Sequence, residues 1–128
     1  MWQNAINSNS GGGNSRKTLL YENDLSSNTF DAQTITIEND AYDYYELYLV
    51  YTKEEKALIY SRCLKNANVY AGQVFTTSKG LTVYQRNCVH SEGSFYFENC
   101  VKQIAGSTTI TTVNNILLPY KIYGCKWD

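Results

Sequence analysis

From Thr18 to Tyr123 the chain is cut into short runs in which Tyr, Val, Ile, Thr, Leu and Phe recur at alternate positions, and Asn, Asp, Ser and Gly stand between the runs. A period of two puts successive side chains on opposite faces of a strand, and no stretch sustains the 3.6-residue period of an amphipathic helix. The strongest run covers residues 44–52, YYELYLVYT. Here Tyr45, Leu47, Leu49 and Tyr51 share one face, and Tyr44, Glu46, Tyr48 and Val50 share the other. The KEEKALIYS that follows contains good helix formers, but its start lacks a cap and the run before it is dense in Tyr and Val. A hairpin turning through Lys53–Lys56 is predicted there, with the chain returning as a strand over residues 57–63.

The other runs follow the same rule. Residues 18–21 are apolar. Residues 32–37 place Ala32, Thr34 and Thr36 opposite Gln33, Ile35 and Ile37. Residues 68–77 set Val69, Ala71 and Phe75 against Tyr70, Val74 and Thr76, and the turn Ser78-Lys79-Gly80 closes them, because glycine reaches positive φ without steric cost. Residues 81–87 and 94–104 are predicted strands around a loop CVHSEG. Residues 108–113 form a β-branched run, Asn114-Asn115 a turn, and residues 117–123 the last strand. About nine strands at intervals of roughly 8–12 residues, with no helices between them, predict an all-β chain: an antiparallel β-sandwich of jelly-roll-like form.

At 128 residues the chain fits one core, and its 43% apolar content suffices for that core. NSNSGGGNS within residues 1–16 reads as a flexible Gly/Ser/Asn-rich leader behind a tip bearing Trp2 and Ile6, with the β domain over 17–128. The N-terminus has no basic region followed by an apolar core, so no secretory signal is expected, and no run is long enough for a membrane-spanning helix. Eleven basic against twelve acidic residues give a formal charge of −1, which argues against nucleic acid and against a polybasic membrane anchor. Cys63, Cys88, Cys100 and Cys125 are widely spaced, form no C-x-x-C pair, and with the lone His90 make no zinc pattern. Buried, reduced thiols are expected, and neither a metal nor a cofactor.

Two segments carry a resemblance. The opening GGGNSRKTLLYENDLSSNTFDAQTI, with Tyr42-Asp43 after it, and the ending NNILLPYKIYGCKWD resemble a β-sandwich domain of tail and baseplate proteins from phages and prophages of Gram-positive bacteria. The family pattern has a Gly-rich linker, "KTLLW", "F-x-A-Q-T-I", a "Y-D" turn and a closing "I-P-x-K-I-Y-G-I-K" strand. Tyr21 stands where the pattern has Trp, Leu118 where it has Ile, and Cys125 where it has Ile. Residues 53–112 match nothing in it. The resemblance implies a receptor-binding or fibre-tip-like appendage, often a homotrimer, made in the host cytoplasm and carried on the virion beside other tail proteins.

Catalysis is not expected. Glu38, Asp40, Asp43 and Glu46 crowd one turn, and glycoside hydrolysis does need two carboxylates ~5–9.5 Å apart, but turn carboxylates are commonly just solvated. There is no G-x-S-x-G, no H-E-x-x-H and no phosphate-binding glycine loop, and Cys88 and His90 have no assignable activating partner. Binding is the expected function. If residues 81–87 and 94–104 pair across CVHSEG, Arg86 meets Tyr96 and Tyr84 meets Glu98 on one polar face, with Tyr70 extending it and Phe95, Phe97 and Val83 turned into the core. Tyr rings cover the apolar face of a sugar while charged groups bond its hydroxyls, so Tyr70, Tyr84, Arg86, Tyr96 and Glu98 form the expected ligand site, a cell-wall saccharide being the expected ligand. The same pairing also describes an ordinary cross-strand surface or a subunit contact, which fits a purely structural virion module that caps or trimerises a tail or decorates a capsid. A small phage inhibitor of host defence is a third reading of so compact a chain, and the tail-like ends argue against it.

Overall fold

Alternation of this kind forces two faces on every strand, and the apolar faces find each other. The computed structural model describes residues 17–127, and the leader expected over residues 1–16 lies outside the described residues. Within them ten strands form: β1 (Lys17–Glu22), β2 (Gln33–Thr36), β3 (Tyr44–Val50), β4 (Leu58–Leu64), β5 (Asn68–Thr77), β6 (Gly80–Ser91), β7 (Ser94–Phe97), β8 (Val101–Ile104), β9 (Thr111–Thr112) and β10 (Leu118–Cys125). They make two antiparallel sheets packed face to face, an all-β sandwich as the alternation predicts.

The smaller sheet has the order β1-β10-β3-β4. β1 and β10 come from opposite ends of the described residues, so sequence-distant pieces become neighbours in it. Pro119 has no N–H to donate, and the β3–β10 register shifts beside it. The predicted hairpin through residues 53–56 joins β3 to β4, with Tyr51 N donating to Ala57 O at 2.8 Å.

The larger sheet is organised on β6, which pairs with β5 along one edge and with two strands in succession along the other. Thr82–Gln85 of β6 run beside β8 and Cys88–Ser91 beside β7; β9 and β2 extend the two branches. The run expected as one strand over 94–104 is therefore two, broken at residues 98–100, and this raises the count from about nine to ten. The loop expected over 88–93 also shrinks. β6 continues to Ser91, and the chain reverses through Glu92 and Gly93, both at positive φ (24° and 80°).

Tyr45, Leu47 and Leu49 of β3 and Ile122 of β10 meet Phe95, Phe97, Ala71 and Cys88 of the larger sheet in the core. All four cysteines are buried free thiols. At the edge of the core, the ring of Tyr42 lies on Gly124, where an added Cβ would come within 2.5 Å of ring carbons. Those are near-end atoms of a buried side chain and cannot swing away. Gly124→Ala is expected to destabilise by about 1–3 kcal/mol through overpacking, read as a lowered thermal midpoint. An unchanged midpoint would mean that Tyr42 has room to move.

Candidate functional site

The five residues expected to bind ligand part company. Tyr96 pairs with Val89, three positions beyond Arg86, and Phe95 pairs with His90. An offset by an odd number turns β6 over relative to the expected pairing. Tyr70 and Tyr96 do face solvent, 62% and 43% exposed, on the outer side of the larger sheet, and Glu98 joins them by accepting from Asn87 Nδ2 at 2.8 Å. Tyr84 instead turns inward to meet Tyr51 and Phe75, while Val83, expected in the core, is outside. Arg86 is fully buried: Nε donates to Leu117 O (2.8 Å), Nη1 to Phe30 O (2.9 Å) and Glu98 O (2.8 Å), and Nη2 to Ile116 O (3.1 Å). Burial lowers its pKa to about 10, which leaves it charged at neutral pH. Its role is to clasp three loops. The platform expected around Arg86 does not form, and what remains of it is an exposed surface of Tyr70, Tyr96, Val74, Leu81 and Val83.

A denser constellation occupies the outer face of the smaller sheet. The outward positions of β3 are Tyr44, Glu46 and Tyr48; β4 places Tyr60 opposite Tyr48 and Arg62 opposite Glu46, and β10 places Tyr123 opposite Glu46. Antiparallel partners share a face, so these side chains converge from three strands. Glu46 is the hub, its side chain only 12% exposed. Oε1 accepts from Lys17 Nζ at 3.3 Å and Tyr48 OH at 3.2 Å, and Oε2 accepts from Tyr60 OH at 3.1 Å. Arg62 reaches the same carboxylate at 3.8 Å and donates to Tyr60 OH at 3.3 Å. The rings stand edge to face, Tyr48 lying 5.2 Å from Tyr60 and 5.6 Å from Tyr123, and Lys17 Nζ sits 4.8 Å over the Tyr123 ring. Beyond Arg62, which lies over the Tyr44 ring, Tyr44 and Trp127 stack at 4.3 Å.

The electrostatics keep these phenols as donors. Burial first, and then the Glu46 carboxylate, push the Tyr48 phenol above its ordinary range, and burial does the same for Tyr60. Burial alone would lower the Lys17 amine, but Glu46 outweighs it and the pKa is raised. The result is a surface of ring faces and edges with fixed hydroxyl, ammonium and guanidinium donors around one acceptor. It offers apolar contact and directional hydrogen bonds together. A hollow of about 230 Å³ opens in it between Lys17, Tyr48, Tyr123, Lys121, Tyr120 and Leu58.

The crowded carboxylates of the sequence are drawn to different tasks. Glu46 lies on this face. Asp43 Oδ2 accepts from Trp127 N at 2.8 Å, and Asp40 is engaged by His90 and Gly93 at the far end of the core. Cys88 and His90 both point inward; burial pushes the Cys88 thiol far up, away from thiolate chemistry. Among the described residues no group of three His, Cys, Asp or Glu side chains could hold a metal ion.

The sequence did carry the signal for this face, in Tyr44, Glu46 and Tyr48 alternating outward, with Tyr60 and Arg62 doing the same on the next strand. What it did not carry was the pairing that adds Tyr123 and Lys17. No family model, no curated protein and no solved structure matches the chain.

Proposed function

We propose that the protein is a non-enzymatic virion domain of a phage tail or baseplate that binds a host cell-wall saccharide on the aromatic face of the smaller sheet. The observation that carries the binding part is the Tyr48, Tyr60 and Tyr123 cluster around Glu46. Tyrosine gives large contact area at low entropic cost, and its ring suits the C–H face of a pyranose. Lys17, Arg62 and Glu46 lie within reach of hydroxyls at the same surface. The virion context rests on the resemblance at the two ends of the chain. In place of Tyr84 and Arg86, the ligand is assigned to Tyr48, Tyr60 and Tyr123.

A glycan array carrying host-wall fragments tests this. Tyr60→Ala is expected to weaken binding at least tenfold, about 1.4 kcal/mol, while the thermal midpoint stays nearly in place, because Tyr60 is an exposed residue of an edge strand. A folded protein that binds no wall saccharide would sink the reading. The alternative is a structural virion module, and one observation favours it: Tyr70, Val74, Leu81, Val83 and Tyr96 leave apolar surface exposed on the outer side of the larger sheet. A stable trimer in light scattering, together with an empty array, would decide for that module.

A further inference from the structure

A second concavity adjoins the aromatic face. It measures about 690 Å³ and lies between the segment after β1 and the β3–β4 turn. Its floor is apolar, with Leu25 and Val50, and its rim is charged, with Asp24, Glu54, Lys53 and Lys56. Leu58 and Tyr120 line both this cavity and the 230 Å³ hollow beside Tyr48 and Tyr123, so the two lobes adjoin at these residues. The walls are fastened. Asn23 N donates to Tyr120 O at 2.8 Å, Asn23 Nδ2 to Pro119 O at 3.0 Å, and Lys53 Nζ crosses to Ser26 O at 3.2 Å. Leu25 and Lys56 hold φ of 59° and 54°, a region costly for side chains of this size.

We infer that the two adjoining lobes together take a saccharide chain rather than a single sugar, with the chain lying along Tyr48, Tyr123 and Tyr120 and its end seated in the cavity between Asp24 and Glu54. This rests on the saccharide reading of the aromatic face. Extent argues for the first part. The hollow by Tyr48 is smaller than the ~300–1,000 Å³ common for small-molecule sites, and a ligand that touches both its rings and the adjoining cavity must run past Leu58 and Tyr120. Chemistry decides the second. A chain end presents more hydroxyl donors than a chain interior, and the rim supplies carboxylate acceptors over an apolar floor, with Tyr120 as the ring between the two lobes.

The test is an array on which each wall polysaccharide is printed as a series from the single repeat upward, probed with the full chain. Wild type is expected to gain at least tenfold in affinity from the single repeat to the longest member. The double variant Asp24→Asn/Glu54→Gln keeps side-chain size, and the amide introduced by Asp24→Asn retains an acceptor for the Ser26 N–H that Asp24 Oδ1 holds at 2.9 Å. Its gain along the series is expected to fall below about threefold. A wild-type signal independent of length, or a double variant that keeps the whole gain, overturns the inference. If Tyr60→Ala still weakens binding in that case, the aromatic face survives alone. If no printed glycan binds, both readings fall together.

Discussion

Replacing Arg86 with alanine is expected to cost about 3–5 kcal/mol, among the largest single losses in the domain, and to leave much of the protein unfolded at physiological temperature. The guanidinium is completely enclosed and is bonded to four backbone carbonyls, those of Phe30, Glu98, Ile116 and Leu117. Those carbonyls belong to three separate irregular segments, and Leu117 itself holds a positive φ of 53°. Removing the donors strands the buried carbonyls of Phe30, Ile116 and Leu117 away from water, and the Phe30 ring, 5.4 Å from the guanidinium carbon, loses its cation as well. Lysine tests whether geometry or charge matters. It preserves the charge but carries its three donors on one nitrogen, so it cannot span carbonyls that arginine reaches from Nε, Nη1 and Nη2. Arg86→Lys is expected to lie between wild type and Arg86→Ala in urea denaturation. A loss under about 1 kcal/mol for alanine would show that water enters and bonds the carbonyls instead.

Arg86 also marks where sequence reasoning gives out. The strands β3 and β5 have one apolar parity and one mixed parity, so alternation sorts their faces: Tyr45 and Leu47 share the inward side, as do Ala71 and Phe75. In β6 both parities look alike. Leu81 and Val83 are outside, whereas Thr82, Arg86 and His90 are inside, so apolarity points the wrong way. Only the turn could fix the register, and its length is hidden: CVHSEG contributes Cys88–Ser91 to β6 before Glu92 and Gly93 reverse the chain. The aromatic face was half legible for a different reason. Local alternation reveals Tyr44, Glu46 and Tyr48, and the hairpin adds Tyr60 and Arg62. Lys17 and Tyr123 come from the two ends of the domain, and nothing local specifies that β10 inserts between β1 and β3. Long-range pairing of this kind is where a single sequence is least informative.

The largely buried carboxylate of Asp40 should make the domain acid-sensitive. Its Oδ1 accepts from the Tyr45 hydroxyl and from His90 Nε2 at 3.0 Å, and its Oδ2 from Gly93 N at 2.7 Å. Asn66 N donates to His90 Nδ1 at 2.8 Å, so the ring proton sits on Nε2 and points at Asp40. One carboxylate thus joins the turn before β3, the strand β3 itself, and the tip of the β6–β7 hairpin. Burial by itself would raise the Asp40 pKa, but the bonds from Tyr45, Gly93 and His90 outweigh it and hold it below the ordinary carboxylate range. In the window between the lowered folded value and the unfolded value near ~3.9, the unfolded chain binds more protons, so stability falls as pH falls. Above the unfolded value the whole contribution is present. Asp40→Asn keeps the shape and an acceptor but places an NH₂ against one of the three donors, and is expected to cost roughly 2–3 kcal/mol at neutral pH. The difference between wild type and Asp40→Asn should persist from neutral pH to about pH 5 and narrow steadily below ~4, as the wild-type carboxylate takes up its proton. Urea denaturation of both proteins across that range measures it. A gap that stays constant down to about pH 3 would mean that the charge on Asp40 does not stabilise this end of the sandwich, and that shape alone accounts for the cost.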